Sequence, residues 1–260
     1  LYWQTFFSFG RPTPGSSAEA FSQAINYSFE RSVGDILERI SARSSLITRL
    51  VREDEMQNEW CAQKGKTPSV CDFLLVAGRG CILIDATNHH LSARLAQGLA
   101  DVETFNADVE NSFVATKFEQ LASTAKLILE QRPFGIEPDP VFYPYVVVPD
   151  NGLSNTTSVQ LDWQSRATEP FDDLIGSVRP PVPLRLSDLA IFEGLADYFT
   201  TEERDIATLL GGWTNQSGPF PLSLRDFLDN LGIPAPIPPR MFRDQRSLDR
   251  LIESHRKGDC

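Results

Sequence analysis

The 260-residue chain has no apolar run approaching the roughly 18–20 residues that cross a bilayer, because the longest, around Val146-Val147-Val148, is flanked by Pro144 and Pro149. No membrane partner is expected. Its four cysteines, Cys61, Cys71, Cys81 and Cys260, show neither the dense pairing of a secreted scaffold nor a Cys-x-x-Cys metal spacing. With an apolar start, Leu1 to Phe7, that lacks both a basic leader and a small-residue cleavage site, they point to a reducing, cytoplasmic setting. Positive charge is also short: 24 Lys+Arg stand against 35 Asp+Glu, a formal net charge of −11. A protein that coats nucleic acid nonspecifically needs the opposite balance, since that affinity comes from cations neutralising phosphates. There is no Gly-x-Ser-x-Gly elbow and no phosphate-binding loop, and Gly78-Arg79-Gly80 lacks the third glycine and following helix of a dinucleotide site. His89 and His90 are adjacent, so on a helix they diverge, and no third His or Cys stands at ligand spacing; they read as a turn. Trp3, Trp60, Trp163 and Trp213 are scattered and read as core rather than as a stacking platform.

What is present is an ordinary globular composition, 41% hydrophobic and 23% charged, enough for one large domain with an appendage. A breaker cluster at residues 11–17 precedes a helical pattern in which Phe29, Val33, Ile36, Leu37 and Ile40 share one face. Glu30 falls beside Leu37 on the margin of that stripe, half-shielded from water. A second helical piece is expected over about 45–60. Residues 70–77 and 81–87 are short, apolar and β-rich around Gly78-Arg79-Gly80, which predicts a hairpin. Helices follow at about 91–101 and 111–130, the latter with a stripe of Val114, Phe118, Leu121, Ala125 and Ile128. The uniformly apolar end of Val141–Val148 predicts a strand buried on both faces, as in a parallel or mixed sheet.

The order helix, hairpin, helix, strand is α/β. Residues 149–183 read mostly as loop, with at most one short helix near Pro170–Ile175, and helices are expected from Ser187 through Phe199, from a Thr200/Glu203 capping box through Leu210, and over about 222–231. The chain thus divides into an N-terminal extension (1–17), an α/β core (18–150), a loop and helical region (151–239) and a basic terminal helix (240–260).

Acids intrude on an apolar pattern at the hairpin, in Cys71-Asp72-Phe73-Leu74 and Ile84-Asp85-Ala86-Thr87. Strand residues alternate faces, so a two- or four-residue loop points Asp72, Asp85 and Thr87 the same way, while an odd loop separates them. Directly paired or diagonal side chains lie about 4.5–8 Å apart. Two carboxylates that close repel, and one takes up a proton unless a cation stands between them. Hard oxygen ligands favour magnesium or manganese. The plainer alternatives are Asp72 bridging at a strand edge, Asp85 accepting N–H groups of the Thr87-Asn88-His89 turn, and Glu30 as a helix-surface carboxylate.

An N-terminal helix carrying a Glu, an Asp on one strand and an acid near the end of the adjacent strand resemble the PD-(D/E)XK, or restriction-endonuclease-like, superfamily over about residues 18–150. The resemblance implies a mixed sheet flanked by helices, a Mg²⁺ or Mn²⁺ held by Asp72, Asp85 and Glu30, and hydrolysis of nucleic-acid phosphodiesters. It also implies a Lys two positions after the second acid, where this chain has Thr87. A hydroxyl cannot supply the charge that stabilises the transition state, so activity is expected to be weak or lost unless another cation moves in. Lys117, beside the Val114/Phe118/Leu121 stripe, is the candidate.

Two functions follow from this reading. One is a metal-dependent nuclease, or its weakened descendant, with Arg243, Arg246 and Arg250 on one face of the terminal helix assisting phosphate binding. The other is a non-catalytic nuclease-fold module that meets a protein partner through its C-terminal region in a larger, defence-associated or regulatory assembly.

Overall fold

The computed structural model describes residues 17–64, 67–89, 95, 99–152, 163, 165–198, 206–216 and 223–258. It is α/β: a five-stranded mixed sheet in the order β1-β2-β3-β4-β5, with helices on both faces and a helical C-terminal region. Helix α1 (Ser17–Ser41) buries Val33, Ile36, Leu37 and Ile40, as the stripe predicts. Strand β1 (Arg49–Arg52) and helix α2 (Glu53–Lys64) then occupy the stretch expected to be one helix. Four residues are too few to show a period, and the antiparallel partner β2 (Phe73–Ala77) is what makes Arg49–Arg52 extended.

β2 and β3 (Gly80–Ala86) pair through Ala77↔Gly80, so the loop is the two residues Gly78-Arg79. Gly78, at φ +60°, takes the left-handed position that opens a type II′ turn. β3 then pairs in parallel with β4 (Val141–Val148), and β4 with β5 (Val182–Arg185). β5 falls where loop is expected, whereas the short helix near Pro170 is a 3₁₀ turn, Glu169–Leu174.

Between β3 and β4 runs a helical stretch: α3 (Val102–Val109), a π-helical segment (Glu110–Phe118) and α4 (Glu119–Gln131). After β5 come α5 (Leu186–Tyr198), α6 (Ile206–Gln216), α7 (Leu224–Asn230) and α8 (Pro239–Gly258). Most of the helix expected at about 91–101, and the Thr200/Glu203 capping box, lie outside the described residues.

Alternation along the strands makes two cores. Phe73, Leu75, Ile82, Ile84 and Tyr145 pack with α1, α5, α6 and α7. Leu74, Val76, Leu83, Val146 and Val148 pack with α2, the π segment, α4 and Trp163. Val146, Val147 and Val148 are all 0% exposed, as the run of valines predicts. Each such fully buried aliphatic side chain contributes roughly 1.5–3 kcal/mol. Because β5, α5, α6 and α7 share a core with α1, the region after residue 150 is built into the layer that positions Glu30. Among the described residues no helix is long and apolar enough to cross a membrane.

Candidate functional site at the sheet end

The two-residue hairpin loop sets the geometry. Continuing the β2–β3 register one step past Phe73↔Ile84 places Asp72 opposite Asp85, on the face that carries Leu74 and Leu83. Both are buried, Asp72 7% and Asp85 0% exposed. Continuing the β1–β2 register past Arg52↔Phe73 places Glu53 on the other side of Asp72, and the Glu53 N–H donates to the Asp72 carbonyl at 2.9 Å. Three acids therefore lie in one row, Glu53 just past the end of β1, Asp72 just before β2 and Asp85 within β3.

Glu30 reaches the same place from α1, whose apolar stripe packs on the opposite face, so the acids gather at the end of the sheet where both helical layers meet. Gly34, one turn beyond Glu30, makes this approach close: a Cβ there would come within 3.0 Å of the Phe73 ring and of Arg52 Nη1. One carboxylate oxygen from each of Glu30, Glu53 and Asp72 lies within 4.8 Å of the others.

Sequence reasoning missed Glu53, because its stretch reads as helix. The available signal was an acid in the register position next to Asp72, which is visible only once β1 is recognised as a strand.

Lys117 arrives from the π segment, where its ammonium donates to Asp85 Oδ1 at 2.5 Å. In an i→i+5 segment residues five apart stack, so Phe113 and Phe118 both bury and both pack edge-on against Trp163, at 6.0 and 4.7 Å. His89 holds the preceding turn, with Nε2 3.0 Å from Asp108 Oδ2 and its ring 5.0 Å from Phe113. Thr87 is half-buried, and its backbone N–H continues the ladder to the Val147 carbonyl at 2.9 Å. The cation is thus supplied by the neighbouring helix and not by the strand. Of the plainer alternatives, one has a counterpart: Asp72 Oδ2 accepts the Ala86 N–H at 2.7 Å, a bridge across the hairpin.

The electrostatics are those of a crowded acidic pocket. Burial pushes Asp85 well above the usual carboxylate range and the Asp72 charge adds to this, with Lys117 pulling the other way. Burial and then Asp72 also raise Glu30 and Glu53. For Lys117 burial acts to lower its pKa, but Asp85 and Asp72 outweigh it and the net shift is upward, so it stays a cation.

The donor set fits a hard divalent ion. It consists of carboxylate oxygens, and ligand oxygens at about 2.0–2.6 Å from one ion lie within about 4–5 Å of one another, so the three need little movement. Asp85, expected as a third ligand, stands outside this set of three oxygens, next to Asp72, and its buried Oδ2 makes no hydrogen bond among the described residues, which leaves it as one more available ligand atom. Arg243 and Arg246 lie on the exposed α8, where Arg246 Nε donates to the Phe242 carbonyl at 3.2 Å, and Arg250 is exposed on the same helix. Among the described residues none of the three hydrogen-bonds or pairs with Glu30, Glu53, Asp72 or Asp85.

No protein-family model, curated protein or solved structure matches this chain.

Proposed function

We propose that the protein is a PD-(D/E)XK-like, divalent-metal-dependent nuclease whose catalytic lysine comes from a helix. The observation that carries the reading is the Lys117 ammonium on Asp85 in a strand motif that ends in Thr87. Glu30, Glu53 and Asp72 would hold Mg²⁺ or Mn²⁺, with Asp85 alongside. Such an ion, when bound, activates water and neutralises charge on a phosphodiester.

The chain's own residues do the rest. Among the described residues Lys117 makes one hydrogen bond, to Asp85, so two of its three N–H donors remain for phosphate oxygens as negative charge builds in the transition state. Asp85 aims the ammonium and keeps it protonated. The wall of Phe113, Phe118 and Trp163 limits water on the inner side, which strengthens both interactions. The arginines of α8 would contact phosphates farther from the reacting centre.

The test has two stages. Mg²⁺ or Mn²⁺ at millimolar concentration is expected to raise the melting temperature of the wild type, and Asp72→Ala or Asp85→Ala to abolish the rise; no shift in the wild type would end the metal reading. Plasmid, duplex DNA, single-stranded DNA and RNA are then tested for cleavage, and at least one is expected to be cut, with Lys117→Ala inactive. Metal stabilisation without cleavage of any of these substrates would favour the non-catalytic interaction module.

A further inference from the structure

A groove of about 290 Å³ opens directly beside the acids and shares Glu30 with them. On α1, Tyr27, Glu30 and Arg31 are spaced i, i+3, i+4 and so occupy one face. Glu30 turns into the acidic pocket, while its two neighbours line the groove. Tyr27 is 63% exposed, and its ring stacks on no other ring among the described residues. Arg31 is exposed and likewise forms no ion pair there. The opposite wall is Phe73 with the Arg52 guanidinium 5.7 Å from its ring centroid, and Arg52 is already paired with Glu38 Oε1 at 2.5 Å.

We infer that this groove is a subsite for one unpaired nucleotide next to the scissile phosphate: Tyr27 stacks on its base, Arg31 holds its phosphate, and the substrate is single-stranded nucleic acid. The inference rests on the nuclease reading and narrows its substrate. Size is one argument, since the volume is at the lower end of small-ligand cavities, which admits a nucleotide and not a duplex. Chemistry is another. A solvent-exposed aromatic face offers stacking to any base, but only a base already free of a duplex stack can reach it. Charge is the third. Asp35 and Glu38 also line the groove and Arg52 is neutralised, so Arg31 is the one cation there with no ion-pair partner among the described residues, matching one phosphate and repelling a second.

The experiment measures binding of fluorescein-labelled single-stranded DNA, single-stranded RNA and a blunt duplex by anisotropy, with Ca²⁺ in place of Mg²⁺ to hold the substrate uncleaved. Tyr27→Ala is expected to weaken single-strand binding about tenfold and to leave duplex binding unchanged, while Tyr27→Phe, which keeps the ring, binds as wild type. Arg31→Ala is expected to reduce the salt dependence by about 0.7 in the logarithmic slope, the loss of one phosphate contact on a single strand. The two single-stranded probes distinguish DNA from RNA. Cleavage assays in Mg²⁺ separate this subsite from the nuclease reading. Wild type that cuts duplex and single strand equally, unaffected by Tyr27→Ala, would overturn the subsite alone. Tyr27-dependent single-strand binding with no cleavage of any substrate would overturn the nuclease reading and keep the subsite. Failure to bind any of the three probes would overturn both.

Discussion

Among the described residues, carboxylates are buried at the sheet end and on α5, and the two places balance charge in opposite ways. Glu193 on α5 is 2% exposed and receives two guanidiniums: Arg39 of α1 at 2.6 Å, and Arg240 of α8 at 2.8 and 2.7 Å on its two oxygens. The sheet end collects Glu30, Glu53, Asp72 and Asp85 around the single ammonium of Lys117. The first arrangement ties three helices together and leaves no acid unanswered. The second keeps a deficit of positive charge that folding alone does not repair, and that deficit is what a cation would fill. Under the proposed nuclease reading, the charge deficit next to a positioned lysine is the place for chemistry, and the Glu193 clasp serves stability.

Substitutions should break this contrast in different directions. The largest effect is expected from Asp72→Asn, which keeps an oxygen to accept the Ala86 N–H but removes the central charge. Cleavage falls by at least about 10²–10³-fold and the metal-induced melting shift disappears, while the metal-free fold is as stable as wild type or more so because repulsion is relieved. A less stable metal-free Asp72→Asn would put the two regions in the same class. Lys117→Met comes next: turnover is expected to drop by about 10²–10³-fold with the metal shift retained, and stability to fall by up to about 3 kcal/mol because Asp85 loses its partner. Denaturant melts and single-turnover cleavage separate the two losses.

Glu193→Ala is the mirror experiment. It should cost about 2–3 kcal/mol by leaving the Arg39 guanidinium without its carboxylate and Arg240 with only the exposed Asp244 at 3.6 Å, with cleavage per folded molecule unchanged.

The smallest effect is in pH. Glu30, Glu53 and Asp85 have folded-state pKa values above those of the unfolded chain, so between the two values the folded state holds protons that the unfolded state has released. Stability of the metal-free protein contributed by these groups is therefore full below the ordinary carboxylate range and is lost as pH rises through the raised values. Mg²⁺ needs the ionised forms, so its stabilisation should be larger at pH 8 than at pH 5. Paired thermal melts of wild type and the Glu30→Gln, Glu53→Gln double variant check this, and the double variant should flatten both trends.

Much of the site is readable in one dimension. The parity argument is arithmetic, and for an even hairpin loop it puts Asp72 and Asp85 on one face; the loop length itself was fixed by the Ala77↔Gly80 pairing. Glu30 at the margin of its stripe follows from 100° per residue. One acid was not readable, and the lysine was readable only as a candidate. Glu53 takes its position because four residues of no clear period are drawn into an edge strand by β2. Lys117 takes its position because i→i+5 bonding changes the helical phase over Glu110–Phe118, and a stripe written in α-helical period carries no trace of that change.

Local rules, the alternation of a strand and the periodicity of a helix, were enough to set Glu30 at the margin of its stripe and to pair Asp72 with Asp85 for an even loop, because those geometries depend only on neighbouring dihedrals. The arrival of a cation from another layer depended on packing among Trp163, Phe113, Phe118 and His89. Those residues lie far apart in the chain, and no local periodicity relates them until the sheet and its helices are stacked.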